Sequence, residues 1–291
     1  MIIIIFIIII ILLSILFIIY NNLKYNKQYN KYAIHTVFIL KENILFLEEW
    51  LKYHIHIGFN KFYLYDNTGS MGFNNNYDNI ELNKKNKYNI QYDKYINEEQ
   101  TKIKFKDILN KYNNYITYIK WQPKNEKGEI MYGQEKSINN YVKKYKNEND
   151  WTAFIDMDEF IYMKNHDSIQ DFINNHKQYN KIKMNMKNFD DRFLHVNKSI
   201  FEINNSIKHD DIFLNWGCKH ICLNSDLTTD TQTIHDISVK NEKIYDSKNI
   251  EDIRYNHYNV NYNKLNWMKD YFGRNNFERE QDNCMKKYIN I

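Results

Sequence analysis

An apolar run, Trp151-Thr152-Ala153-Phe154-Ile155, breaks into three acids within four residues: Asp156, Asp158 and Glu159. In extended backbone, residues i and i+2 point the same way, so the spacing predicts Asp156 and Asp158 on one face at a strand's end. Two carboxylates about 4 Å apart repel by roughly 4 kcal/mol at an effective dielectric of about 20. A shared proton, a basic side chain or a divalent cation must offset that repulsion. Hard cations such as Mn2+ and Mg2+ favour oxygen ligands. Strand C-termini are also where open α/β sheets bind ligands. An Asp-x-Asp placed there suits a metal bound together with a diphosphate. Solvated acids in a turn are the competing reading.

Two other polar clusters end apolar runs. Lys61–Tyr65 leads into Asp66-Asn67-Thr68-Gly69-Ser70, a turn signal. A carboxylate at Asp66 can hydrogen-bond a base or ribose, or close an Asx-turn. Lys41-Glu42-Asn43 follows the first apolar run of the soluble part. Three strand ends converging on one sheet edge carry more weight than any one of them.

The elements that must position these groups follow from local pattern. Ala33–Leu40 reads as a buried strand. Asn43 is expected to cap a helix over Ile44–Ile57, with Gly58 as its stop. Lys61–Tyr65 is the next strand. Strand, helix and strand within about 35 residues make a βαβ unit and imply a parallel sheet. Further strands are predicted at Tyr115–Trp121, Trp151–Asp156, Lys181–Phe189, Lys219–Leu223 and Thr231–Val239. Helices are predicted at Gly133–Lys146, from Ser168 to His176 and at Asn263–Gly273. Ile182, Met184 and Met186 alternate, the mark of a half-buried strand. The expectation is one α/β domain with a mixed sheet flanked by helices.

The first 20 residues differ in kind. Ile2–Ile19 is apolar except for Ser14. A helix of that length reaches about 27 Å, close to the ~30 Å hydrocarbon core. In lipid the backbone must satisfy its own hydrogen bonds, so helix prevails over the strand preference of isoleucine. No basic start or small-residue cleavage site marks a secretory signal. The expected organisation is a single-pass transmembrane anchor at 1–20, a stem at 21–32 and the α/β domain at 33–291, with the lipid bilayer as partner of the anchor. Two signals oppose each other on orientation. Lys24, Lys27 and Lys31 place the bulk of the chain on the cytosolic side, whereas N-x-S/T sequons at Asn197 and Asn204 permit a lumenal one.

Composition narrows the function classes. Hydrophobic residues make up 43% and charged residues 26%, which argues against disorder. The net charge of +4 is spread rather than gathered in one stripe, so no nucleic-acid partner is expected. Three cysteines, Cys218, Cys222 and Cys284, make no disulfide framework. Cys218 and Cys222 bracket His220, but no second pair at zinc spacing follows.

The order of these motifs resembles a known family. Lys41-Glu42-Asn43, Leu47-Glu48-Glu49-Trp50-Leu51-x-Tyr53-His54, and Gly58-Phe59-x-x-Phe62-Tyr63-Leu64-Tyr65-Asp66-Asn67 are similar to the opening of glycosyltransferase family 92 and family 2-like proteins. Trp151–Ile161 resembles their Asp-x-Asp-Glu-Phe segment, with Gly133-Gln134 upstream and His235 and His257-Tyr258 downstream. The edge reads Lys-Glu-Asn where the family has Lys-Asn-Glu. Asn188-Phe189-Asp190-Asp191 stands where the family often has a Phe-Gly-Ser-type turn, and Asn261-Tyr262 stands where a Lys-Ser-like pair is expected.

The resemblance implies a GT-A-type fold that binds a nucleotide-sugar donor, expected to be UDP-linked, and transfers the sugar with inversion to a glycan or glycoconjugate acceptor. It implies Asp156 and Asp158 as ligands of Mn2+ or Mg2+, with His235 as a further metal ligand or phosphate contact. Glu42 and Asp66 would line the nucleoside pocket, with Asn67, Gln134 and Asp156 in the donor-binding set. Inversion needs a general base. Asp190 and Asp191, which end the strand after the metal motif, are the candidates, followed by Glu159. Trp216 or Trp267 could stack on an acceptor sugar. Two other readings stand beside this one: a silent member that binds a nucleotide sugar or glycan, and a metal-dependent phosphoryl enzyme.

Overall fold

Tyr32–Phe38 (β1) is buried along its whole length because its two faces serve two cores. Alternation of side chains sends Ile34 and Phe38 to one side and Ala33 and Val37 to the other. A strand covered on both faces is expected in a parallel sheet flanked by helices. Here the strand pairs in parallel with Lys61–Asp66 (β2) and Trp151–Phe154 (β4), and β2 pairs in parallel with Ile116–Lys120 (β3). The computed structural model describes residues 31–70, 97–189, 199–208, 217–247, 252–258 and 278–291, with Ser14 and Ile250.

Helices cover both faces of this sheet. The first core takes a helical turn, Leu40–Asn43 (α1), and the helices Leu47–His56 (α2) and Glu98–Lys111 (α3). The second takes Gln134–Lys144 (α4) through Ile138, Tyr141 and Val142. Beyond β4 the sheet turns antiparallel: Lys219–Leu223 (β8) pairs with β4, and Lys181–Phe189 (β6) pairs with β8. A shorter helix, Ile169–Asn175 (α5), precedes β6, capped by the Ser168 hydroxyl accepting from Asp171 N–H.

The nine-residue β6 joins two groups of strands. Its first half pairs with β8 and with Ile244–Asp246 (β9). Its second half pairs with Ile253–Tyr258 (β10), and its last residue with Asn205–Ile207 (β7). Glu159–Met163 (β5) adds antiparallel to β10, and Arg279–Gln281 (β11) antiparallel to β7. The path of the sheet is β11-β7-β6-β8-β4-β1-β2-β3. The consequence for the site is direct: β4 belongs to one group, β5 to the other, and the acidic segment is the bridge between them.

Several sequence expectations need correction. Asn43 ends α1 rather than capping a helix from Ile44; α2 begins only after Phe46, which lends no side-chain cap. The stem expected over 21–32 overlaps β1, which starts at Tyr32. β6 is not half-buried: Lys181, Asn185, Lys187 and Asn188 are buried beside its apolar residues, because both of its edges and both of its faces are covered. Thr231–Val239 forms isolated bridges rather than a strand. The predicted helix at Asn263–Gly273 lies outside the described residues. So do the expected membrane segment Ile2–Ile19, Ser14 excepted, and Trp216 and Trp267. Among the described residues no helix is long and apolar enough to cross a membrane. The unit that carries the fold is Lys31–Ile291.

Candidate active site

The acidic segment is held from below by α2. Trp50 Nε1 donates to the Glu159 carbonyl at 2.9 Å, and the Tyr53 hydroxyl donates to the Ile161 carbonyl at 2.6 Å. The Ile161 N–H donates to His54 Nε2 at 3.4 Å. His54 Nδ1 faces the Trp50 carbonyl at 2.8 Å, so Nδ1 carries the proton and Nε2 is the acceptor. Burial pushes the His54 pKa down to about 3, which keeps this neutral tautomer in place. Helical spacing of i, i+3 and i+4 brings the three side chains to one face. Residues 159 and 161 of a strand turn their carbonyls to the same edge. Among the described strands β5 pairs only with β10, and α2 satisfies its other edge. The Glu-Trp-Leu-x-Tyr-His helix and the Asp-x-Asp-Glu-Phe segment therefore form one unit.

The acids sit in a turn. β4 ends at Phe154, and Glu159 N–H closes onto the Asp156 carbonyl at 3.1 Å. The extended i, i+2 geometry expected for Asp156 and Asp158 is absent, and the two carboxylates have different surroundings. The Asp158 side chain is 3% exposed, with Oδ2 3.5 Å from His257 Nε2. The Asp156 side chain is 19% exposed and pairs with the Lys219 ammonium, Oδ2 to Nζ 2.9 Å. Lys219 also lies 3.4 Å from Glu159 Oε2, and the Asp156 N–H donates to the same Glu159 oxygen at 2.8 Å. Of the three ways to offset the acids' repulsion, the fold supplies a basic side chain. Burial raises the Glu159 pKa, Lys219 opposes that shift, and Asp156 adds to it.

Lys219 escaped the sequence reading. Register explains its place: Phe154 pairs with His220 across β4 and β8, so Lys219 stands one residue further along, level with the start of the turn. The available signal was a lysine opening the short run Lys219-His220-Ile221-Cys222-Leu223. In a chain with 40 Lys and Arg residues that signal is faint.

The N-terminus of α4 holds the turn from above. Gln134 Nε2 donates to Asp156 Oδ1 at 2.9 Å and to the Tyr132 hydroxyl at 3.1 Å. Burial, then the carboxylates of Asp156, Glu42, Asp158 and Glu159, push the Tyr132 pKa well above its ordinary value. Glu42 thus shares the field of the acidic turn. The Ser137 hydroxyl donates to the Gln134 carbonyl at 2.6 Å and lies 3.1 Å from His35 Nε2. With its proton given to that carbonyl, Ser137 accepts from His35. Gly133 enters the helix at φ +56°, and a Cβ there would stand 2.8 Å from Pro123 Cγ, so glycine is required.

At the end of β2 the Asp66 carboxylate accepts from Tyr118 O–H at 2.7 Å and Thr68 N–H at 2.9 Å. It is both the Asx-turn and a carboxylate at the sheet edge. Asn67 is turned inward. Its amide donates to the carbonyls of Trp121 and Met131, each at 2.9 Å, and its oxygen accepts from Ser70 O–H. Asn67 holds the loop beside Asp66. Glu159, 2% exposed, closes the acidic turn, its carboxylate accepting from Asp156 N–H.

His235 stands on an exposed loop with Nδ1 3.1 Å from the Cys218 carbonyl. Partial desolvation of the ring and the Lys219 charge lower its pKa, while the Cys218 carbonyl and Asp156 oppose the shift. It does not join Asp156 and Asp158 in a ready-made cage: among the described residues no three His, Cys, Asp or Glu side chains converge to hold a metal. The same holds for zinc at Cys218, His220 and Cys222; the three cysteines are free thiols. The carboxylates of Asp156 and Asp158 are hard oxygen donors. They fit a Mn2+ or Mg2+ ion that takes its other ligands from phosphate and water, the usual mode for Mg2+ in phosphate sites. Asp190 and Asp191 lie outside the described residues, immediately after Phe189, the last residue of β6.

Fold and site together define an α/β protein with an acidic turn and an Asp66 loop at one edge of the parallel part of a mixed sheet. The glycosyltransferase family 92 model matches residues 33–290, and the chain belongs to that family. No curated protein matches the chain in sequence. Among solved structures, S. aureus TarS 1-349 is similar at 14% identity and a TM-score of 0.41, covering 79% of this chain and 60% of that one. A second structure of S. aureus TarS is similar at 15% identity and a TM-score of 0.32, covering 67% of this chain and 28% of that one. A UDP-glucose pyrophosphorylase complexed with UDP-glucose is similar at 11% identity and a TM-score of 0.30, covering 89% and 95%. The chain thus spans less than two thirds of either TarS chain.

Proposed function

We propose that this family member is a GT-A-type, metal-dependent glycosyltransferase. It moves a sugar from a UDP-linked donor to a glycan or other hydroxyl acceptor, with inversion, from a domain tethered to a bilayer by Ile2–Ile19. The observation that carries the reading is the shared edge. Asp66 ends β2 and the Asp156–Asp158 turn follows β4, and both strands run parallel to β1. The nucleoside would lie against Asp66 and Glu42. The diphosphate would lie at the acidic turn, where Asp156 and Asp158 would hold Mn2+ or Mg2+. When bound, such a cation offsets charge developing on the leaving diphosphate. Gln134 and Lys219 orient Asp156, and α2 fixes the turn beneath it. β6 is antiparallel to β8, which is antiparallel to β4, so the chain leaves β6 at the same edge as the acidic turn. That exit supports Asp190 or Asp191 as the base that takes the acceptor's proton.

The test is donor turnover by the full chain in detergent across a panel of UDP- and GDP-sugars, with Mn2+ and with EDTA, beside Asp158→Ala. Slow hydrolysis releases free nucleotide even without the acceptor. Metal-dependent release from one donor, lost in the variant, establishes the reaction and names the sugar. Metal-dependent binding without turnover, acceptor panel included, identifies a silent member. Neither binding nor release removes the donor-site assignment and favours the phosphoryl-enzyme reading.

A further inference from the structure

Lys219 is a buried ammonium placed against the two carboxylates that flank the acidic turn. Its side chain is 3% exposed, and its Nζ lies 2.9 Å from Asp156 Oδ2 and 3.4 Å from Glu159 Oε2. The other Asp156 oxygen takes the Gln134 amide at 2.9 Å. Both oxygens of Asp156 are therefore engaged by the protein, although this is the more exposed of the two Asp-x-Asp carboxylates. A buried ammonium requires an anionic partner. A divalent cation on Asp156 would share a carboxylate that Lys219 and Gln134 already hold, and it would bring like charge to within a few ångströms of the ammonium. Glu159, locked in place by the Asp156 N–H at 2.8 Å, gives Lys219 a second carboxylate to remain on. A diphosphate arriving with the cation supplies the missing negative charge to both.

We propose that Lys219 is the resident counter-ion of the acidic turn. It occupies Asp156 in place of the divalent cation, yields when a nucleoside diphosphate carries the cation in, and then pairs with the diphosphate. The proposal rests on the reading of the acidic turn as the cation and diphosphate site. Its consequence is coupled binding: the cation alone binds weakly, the diphosphate alone binds weakly, and each raises the affinity of the other by the same factor. Lys219 is thereby a binding residue for the diphosphate as well as a barrier to the bare metal.

Mn2+ and UDP affinities of the full chain in detergent, measured by calorimetry, test this in wild type and Lys219→Met. The variant is expected to bind Mn2+ alone at least tenfold more tightly, because Asp156 is released. It should bind UDP at saturating Mn2+ at least fivefold more weakly. Lys219→Met leaves Glu159 buried without its ammonium, so Lys219→Met/Glu159→Gln is measured beside it; the amide oxygen of Gln still accepts from Asp156 N–H, and circular dichroism reports folding of both. Unchanged or weaker Mn2+ binding in whichever of the two variants folds overturns the counter-ion role, and so does unchanged UDP affinity. Asp158→Ala separates the two levels. If it binds Mn2+ with UDP as tightly as wild type, the acidic turn is not the cation's site and the underlying reading fails instead.

Discussion

The indole Nε1 of Trp50 donates to the carbonyl oxygen of Glu159 at 2.9 Å, across 109 residues of sequence. Tyr53 and His54 extend the same contact to Ile161. Trp50→Phe keeps most of the apolar contact and removes the donor, leaving a buried carbonyl unsatisfied. Such an orphan costs about 1–3 kcal/mol. Urea unfolding should show that loss, and donor turnover should fall with it because the acidic turn closes at the residue released. A variant with wild-type stability and turnover would show that α2 does not position the acids.

Tyr118 holds Asp66 Oδ2 at 2.7 Å, and Thr68 N–H holds Oδ1 at 2.9 Å. If Asp66 receives the nucleoside, Asp66→Ala removes a hydrogen bond from a charged group, about 1.5–3 kcal/mol, or roughly 10- to 100-fold in donor affinity. Tyr118→Phe frees the carboxylate to swing and should weaken donor binding several-fold. Steady-state kinetics should place both effects on KM with kcat little changed. An unchanged KM in Asp66→Ala would move the nucleoside elsewhere.

Burial lowers the pKa values of His35 and His54 to about 3, and that of His220 well below its ordinary value. Each is neutral in the fold and takes up a proton near pH 6.5 when unfolded. Their contribution is complete above about pH 6.5 and is lost as pH falls toward the folded value. At pH 5 the loss is about 2 kcal/mol for each of His35 and His54. Urea unfolding at pH 7 and pH 5 should reveal it, and His35→Gln should flatten the slope. A stability independent of pH between 7 and 5 would contradict the neutral, buried state of these rings.

The C-terminal segment is tied to β10 and β6 by charge. Asp282 Oδ2 lies 2.7 Å from Arg254 Nη2 and 2.8 Å from Lys187 Nζ, and both cations are buried. Burial alone would raise the Asp282 pKa. Lys187, the Cys284 N–H and Arg254 together outweigh burial and hold it well below the usual carboxylate range. Its stabilisation is present above about pH 4 and is lost as pH falls further. Asp282→Ala removes one partner of a buried pair and should cost about 3–5 kcal/mol at neutral pH by chemical denaturation. A loss below 1 kcal/mol would mean that Glu280, 2.7 Å from Lys187, compensates.

What the sequence determined by itself was local or repeated at fixed spacing. The βαβ opening from β1 to β2 is legible because strand and helix periods differ and because Gly58 and the Asp66–Ser70 turn punctuate them. Ser168 as a cap, the boundaries of β6, and acids at the ends of β2 and β4 were likewise readable. Tertiary structure alone decided the rest. Asp-x-Asp at a strand end reads as two carboxylates on one face, but β5 must begin at Glu159 to pair with β10, whose sequence lies some ninety residues away. That pairing folds the segment into a turn and divides the acids between unlike surroundings. Glu159 and Asn67 meet backbone groups that come from distant parts of the chain or across the turn. Lys219 acquires its place only through antiparallel register with β4, and register between distant strands leaves no mark in either segment alone. Residue type and period act within a few neighbours along the chain, whereas burial, pairing and charge compensation depend on which distant groups the sheet brings within a few ångströms.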